Sequence, residues 1–385
     1  MQLTCPRCAQ TGGVKPLLVC PLSKSHEKPA PLAELMRSQG CVGVRSALSD
    51  GTAKEVLAYI NALSDQAKAE VTEGRVDFGA RFGGVNCRGR GVFGARQDLW
   101  LPVEAVPVAK ALREVASEER LGPLLRELVG PGALLHEVSC LVSDPGAPRQ
   151  CVHADTIVLP SPQFPNASME PLYTFFVALQ DVEDDMGHTV FLPRTHTPRA
   201  HEIWNGPQRQ KEMFISVNDA TQSNLDLGDV AIFDSRLLHC GRENSSDKRR
   251  VLFYFTVSAQ HDWPLPNGKH GSNSIRAEDR GKWTLRDFGL DEAVAEGDPA
   301  SKSRRDVLAG VAAAMLGGAR ELAEPRAASA AAAPTAAAQL SVLELEAAKA
   351  NIVDALVERQ YYLTGDLPKE LVAPGAHFID PTTGQ

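Results

Sequence analysis

The chain has 385 residues, 43% of them hydrophobic and 23% charged, with a formal net charge of −8. That supply of apolar side chains is enough for a large core, and the length predicts two or three folding units. The acidic balance, with no long Lys/Arg run, argues against a polyanion-binding surface, so no nucleic-acid partner is expected.

No stretch reaches the roughly 20 apolar residues of a membrane span, and the amino terminus lacks a basic-then-apolar leader pattern. Eight cysteines are scattered along the chain, too sparsely for a disulfide framework. A reducing compartment is the simpler expectation, cytoplasmic by default. Cys5 and Cys8 form one CxxC, which with Cys20 and His26 would make a small zinc site. The favoured alternative is a poorly ordered polar tail over residues 1–30.

The globular pattern begins near Pro31. Val56, Leu57, Ile60 and Leu63 recur at helical spacing within 52–71, with Asp50 or Thr52 as candidate caps. The Gly- and Arg-rich stretch 79–98 reads as a surface loop or hairpin, being too short and irregular for an RGG segment. A second helical stretch over 106–129 contains Pro123, which should break or kink it.

Short apolar or alternating segments follow at 134–142, 153–159, 173–182, 189–192, 230–233 and 250–258, with Gly187, Gly228 and Gly241 at turns. Successive strands without intervening helices predict an all-β sandwich or barrel core, with helices from the first 130 residues packed in front.

The chemistry concentrates in His153-Ala154-Asp155 and, 84 residues after Asp155, His239. An HxD on a strand turns both side chains to one face. Two imidazoles and one carboxylate leave open positions on an iron(II) ion for a bidentate co-substrate and dioxygen. His153, Asp155 and His239 are therefore the candidate metal ligands. Arg250, eleven residues after His239, could hold a dicarboxylate end-on through a bidentate pair. Arg249 competes for that role, and strand alternation favours Arg250. Gln150 is a further candidate, for the co-substrate or for support of the ligands.

The segment GDVAIFDSRLLHCGRENSSDKRRVLFYFTVS resembles the distal-histidine region of the phytanoyl-CoA dioxygenase family, and QCVHAD resembles its first metal strand. FVALQDVEDDMGHTVFLPRTHT is similar to the family's central segment. The resemblance covers residues 95–260. It implies a double-stranded β-helix (jelly-roll, cupin-like), mainly β with flanking helices. It also implies iron(II), 2-oxoglutarate and dioxygen, with ascorbate as an accessory reductant. The implied reaction is hydroxylation of an unactivated C–H of a small molecule, with release of succinate and carbon dioxide. Related halogenases replace the carboxylate ligand with a small residue, so Asp155 argues for hydroxylation. Arg194 departs from the family, standing where a turn glycine is usual. A silent jelly-roll binding module and a zinc hydrolase are the competing readings. The intact set with Arg250 favours the enzyme, and no general base stands beside the triad for hydrolysis.

Other polar residues have plainer roles. His188, His196 and His201 read as turn or surface residues, and His136-Glu137 as structural. Asp181, Glu183, Asp184 and Asp185 lack the spacing of a calcium loop. Asp234 is expected to cap or brace the loop that carries His239.

The dioxygenase domain is expected over 31–265. Beyond it, 266–340 reads as a linker containing Arg304-Arg305 and an Ala-rich apolar run, which resembles a twin-arginine targeting segment and would indicate plastid association. Residues 341–385 have an amphipathic start and resemble the opening of an NTF2-like plastid module, too short to close such a fold.

Overall fold

The computed structural model describes residues 14–83, 94–156, 171–258 and 274–291. The chain divides into two units, 1–292 and 293–385. The second, with the twin-arginine-like and NTF2-like segments, lies outside the described residues, as do Cys5 and Cys8.

In chain order the elements are β1 (Lys15–Pro16), β2 (Val19–Cys20), α1 (Leu22–Glu27), α2 (Pro29–Gln39), β3 (Cys41–Val44), α3 (Asp50–Thr72), β4 (Phe82–Gly83), β5 (Arg96–Trp100), α4 (Val106–Ala116) and α5 (Gly122–Leu128). Then come β6 (Leu134–Ser143), β7 (Leu172–Ala178), β8 (Thr189–Phe191), α6 (Pro198–Trp204), α7 (Gln208–Val217), β9 (Thr221–Gln222), β10 (Val230–Asp234), β11 (His239–Gly241) and β12 (Arg250–Ser258).

Alternation along β12 decides the layering. Val251, Phe253, Phe255 and Val257 enter a large core shared with Val56 and Ile60 of α3 and with Val108 and Leu112 of α4. Leu252 and Tyr254 face the other way, into a second core with Phe176, Phe191 and Phe233. An eight-stranded sheet, ordered β2-β3-β10-β7-β12-β6-β5-β4, therefore carries helices on its outer face. Its inner face looks at a four-stranded sheet, ordered β1-β9-β8-β11. Two facing sheets with flanking helices are the β-sandwich core that the strand pattern predicted and the jelly-roll that the family resemblance implied.

Several expectations are corrected. The polar tail ends earlier than residue 30: β1 pairs with β9, β2 pairs with β3, and Leu17 and Cys20 are buried. The cap of α3 is Ser49, whose side chain accepts from Thr52 N, and not Asp50 or Thr52. Within 106–129 the break expected at Pro123 is present as two helices, but it falls before the proline, which lies in the first turn of α5, where its missing N–H costs nothing. The far end of the Gly/Arg-rich stretch is not a loop: Arg96–Trp100 is a fully buried strand. The domain also runs past 265, since Ser274, Ile275, Leu285 and Phe288 are buried against it.

Candidate metal centre

His239 opens β11, and His153 pairs with it as an isolated bridge. The two backbones exchange N–H···O bonds of 2.9 and 2.8 Å. Asp155 N donates to Ser235 O, 2.8 Å, so the loop before His239 also fixes the carboxylate. The HxD thus lies on a single bridge and a turn instead of the regular strand expected over 153–159, whose last residues are outside those described. The effect on the side chains is as anticipated: one ligand atom from each of His153, Asp155 and His239 falls within 4.8 Å of the others.

Each imidazole is oriented by its own chain. His153 Nδ1 lies 2.8 Å from Cys151 O, and His239 Nδ1 lies 2.9 Å from Leu237 O. A carbonyl can only accept, so Nδ1 carries the proton and Nε2 keeps its lone pair. Both Nε2 atoms point at Asp155, 3.6 Å from Oδ1 and 3.8 Å from Oδ2. These separations exceed hydrogen bonds. They leave the opening that a cation between two nitrogens and a carboxylate would fill, so the donor set fits iron(II).

The loop carrying His239 is braced as expected. Asp234 Oδ1 accepts from Arg236 N and Nε, and Oδ2 from Arg236 Nη2 at 2.6 Å. Thr195 Oγ1 accepts from Leu238 N. Phe191 and Phe233 flank the His239 ring at centroid distances of 6.2 and 4.8 Å, walling that side with apolar surface.

Arg249 and Arg250 part company. Arg249 turns outward to Asp144 and to Asn61 of α3. Arg250 is 1% exposed and turns inward, donating to Gly187 O and to Ser143 Oγ. Its Nε has no partner among the described residues, and burial together with neighbouring Arg96 pushes its pKa down. A buried guanidinium lacking a carboxylate is costly unless an anion joins it. That orphaned group fits one end of a dicarboxylate.

Sequence reasoning missed Arg96. It is 2% exposed on β5 and donates to Arg242 O at 2.7 Å. A Cβ placed on Gly241 would lie 2.9 Å from Arg96 Nη1 and 2.6 Å from Gln150 Oε1. Gly241 shares the face of His239 two residues on, about 6.6 Å by strand rise. The alternation Arg96-Asp98-Trp100 was the available signal, hidden by the glycines before it. Gln150 braces β11, its Oε1 accepting from Gly241 N at 2.8 Å.

Three other described histidines have structural partners: His201 Nε2 at Arg236 O, His196 Nε2 at Arg37 O and His188 at Asp184. His188 and His201 are nevertheless buried and not on the surface, and burial lowers both their pKa values. In the acidic cluster, Asp181 accepts from Leu227 N and Glu183 pairs with Lys248, so its oxygens serve the turn.

Comparison with known proteins follows the same line. A family model described as phytanoyl-CoA dioxygenase (PhyH) matches residues 36–252. An iron/alpha-ketoglutarate-dependent dioxygenase, ausU of Aspergillus calidoustus, is 28% identical over 120 residues, 30% of this chain and 37% of that protein. The chain therefore spans little more than a third of that curated relative. Among solved structures, AviO1 from Streptomyces viridochromogenes Tue57 is 16% identical with a TM-score of 0.43, covering 63% of this chain and 98% of its own. The non-heme alpha ketoglutarate dependent epimerase SnoN from nogalamycin biosynthesis is 20% identical with a TM-score of 0.41, covering 60% of this chain and 83% of its own. Because the family model spans more than half of the chain, this protein is a member of the phytanoyl-CoA dioxygenase family.

Proposed function

We propose that the protein is an iron(II)- and 2-oxoglutarate-dependent dioxygenase that hydroxylates an unactivated C–H of a small molecule. The observation that carries this reading is the convergence of His153, Asp155 and His239 in the same interior as the buried, anion-less guanidinium of Arg250.

In this reading His153 Nε2, His239 Nε2 and an Asp155 oxygen hold the metal. The Cys151 and Leu237 carbonyls keep both rings in the tautomer that can ligate. Arg250 pairs with the far carboxylate of 2-oxoglutarate, its fork matching a carboxylate edge. Phe191 and Phe233 keep water from the His239 side. Bound iron and 2-oxoglutarate supply the oxidising power, with succinate and carbon dioxide as co-products. Asp155 occupies the position that a halogenase would leave open, which supports hydroxylation. A reducing compartment, the cytoplasm by default, is proposed with it, since Cys151 is an exposed thiol two residues from a ligand.

Anaerobic addition of iron(II) and 2-oxoglutarate should produce a weak visible charge-transfer band. His153→Ala should abolish it. Wild-type protein that shows neither the band nor succinate formation would exclude the proposal.

A further inference from the structure

A cavity of about 250 Å³ opens where β1 pairs with β9 beside the turn that follows β8. None of the metal ligands and none of the buried arginines lines it. Its walls are largely apolar, from Leu17, Leu18, Cys41, Pro193 and Ala220. Burial pushes the Cys41 thiol up to about 12, so it stays neutral and adds no charge. Leu18 is 59% exposed, while Leu17 is buried. An apolar side chain left in water beside an apolar hollow gains by being covered.

Three charged side chains reach the cavity: Lys15, Arg194 and Asp219. Arg194 and Asp219 face each other at 3.7 Å and offset one another. Arg194 also sits against the end of α2, its N–H donating to the carbonyl of Gln39, and a helix C-terminus favours a cation. Lys15 is exposed and has no ion-pair partner among the described residues. The balance is one positive charge beside an apolar hollow. A ligand matching both has an apolar body and a single negative head. A cationic head would be repelled by Lys15, and a neutral head would leave the lysine unused.

The cavity shares its walls with the supports of His239. Pro193 and Arg194 lead directly into Thr195, whose Oγ1 accepts from Leu238 N at 2.9 Å, one residue before His239. Cys41 pairs with Phe233 across β3 and β10, and the Phe233 ring lies 4.8 Å from the His239 ring. Arg194 has a φ of +66°, a conformation that costs a residue with a side chain. The turn is therefore a strained element that a ligand packed on it can bias.

We propose that this cavity binds a small monocarboxylate with an apolar body, of the medium-chain fatty acid type, and that its occupancy is felt at His239 through the Pro193–Thr195 turn. The carboxylate pairs with Lys15, and the chain lies on Leu17, Leu18 and Pro193. The binding site is independent of the dioxygenase reading; the coupling to His239 rests on it.

The test uses the full chain and three probes with one tail: octanoate, 1-octanol and octylammonium. Calorimetric titration without metal should show saturable binding of octanoate, with the alcohol at least about tenfold weaker and the ammonium weaker still. Lys15→Gln should bring octanoate to the level of the alcohol. Leu18→Glu, which places like charge at the cavity, should remove octanoate binding. Both positions are exposed, so both variants should fold. No saturable binding, or equal affinity for the alcohol, would overturn the site. So would octanoate affinity within about twofold of wild type in both variants, the result expected if octanoate sits at Arg250 instead. With iron(II) and 2-oxoglutarate present anaerobically, saturating octanoate should move the 2-oxoglutarate midpoint of the charge-transfer band by at least about threefold in wild type and not in Lys15→Gln. Octanoate binding with an unmoved midpoint would overturn the coupling. Absence of the band in wild type would sink the dioxygenase reading and the coupling with it, and leave the binding site standing.

Discussion

Two adjacent arginines show how much a single residue step decides in a strand. Successive side chains of β12 face opposite ways, so Arg250 enters the interior while Arg249 joins Asp144 outside. Arg250→Ala should weaken 2-oxoglutarate binding by at least about 30-fold, the usual loss for one partner of a buried charged pair. Arg249→Ala should leave that affinity within about threefold and lower stability by about 1 kcal/mol, since its ion pair is only half-buried. Titration of the charge-transfer band together with urea unfolding separates the two, and the reverse order would reassign the co-substrate anchor. Arg194 gives a second case. Its φ is +66°, so the turn keeps the left-handed conformation although glycine has been replaced. A side chain there costs about 1–2 kcal/mol, against roughly 0.4–1 kcal/mol that glycine loses through unfolded-chain entropy. Its ion pair with Asp219 is long and exposed. Arg194→Gly should therefore raise stability by up to about 1 kcal/mol in urea unfolding.

Elements were legible in proportion to how far their own pattern decided them. The 250–258 alternation and the 3.6-period of α3 come from burying one face, and both stand where the sequence predicted. The convergence of His153, Asp155 and His239 was legible too, because chemistry restricts the residue types of a candidate metal site at fixed spacing. Arg96 was not: β5 is buried on both faces, so its polar residues show no apolar alternation, and glycines precede it. Nor were β1 and β2, two-residue strands whose existence depends on pairing with distant segments. The join of α3 to α4 was invisible for the same reason. Ser49 caps α3, and Glu114 of α4 accepts from Ser49 N at 2.6 Å and Ser49 Oγ at 3.0 Å. Ser49→Ala removes the cap and the hydroxyl half of this cross-link, keeps the backbone N–H bond to Glu114, and should cost about 1–2 kcal/mol. The 2-oxoglutarate band should be unaffected, because neither helix contributes a ligand. Equal loss of band and stability would mean the helical layer supports the metal site directly.

For the molecule as a whole, two carboxylates give stability opposite dependences on pH. Asp98 is raised by burial to about 6, above the ~3.9 of an unfolded aspartate. Between these values the folded chain binds more protons than the unfolded chain. The contribution of Asp98 is thus complete below about pH 4 and is lost as pH rises through 6. Its size is on the order of 3 kcal/mol. Asp144 behaves in the other sense. Arg249 and Lys68 hold its pKa below the usual carboxylate value, against the opposing effect of partial burial. Its contribution is present above about pH 4 and disappears as acid protonates it. Unfolding free energy measured from pH 3 to 8 should separate them. The difference between wild type and Asp98→Asn should change across pH 4–6 and be flat on either side. The difference between wild type and Asp144→Asn should change only below about pH 4. If the Asp98→Asn difference is flat from pH 4 to 6, the hydrogen bonds from Tyr254, Ser139 and Ser274 offset the loss of water around this carboxyl, and burial does not set its titration.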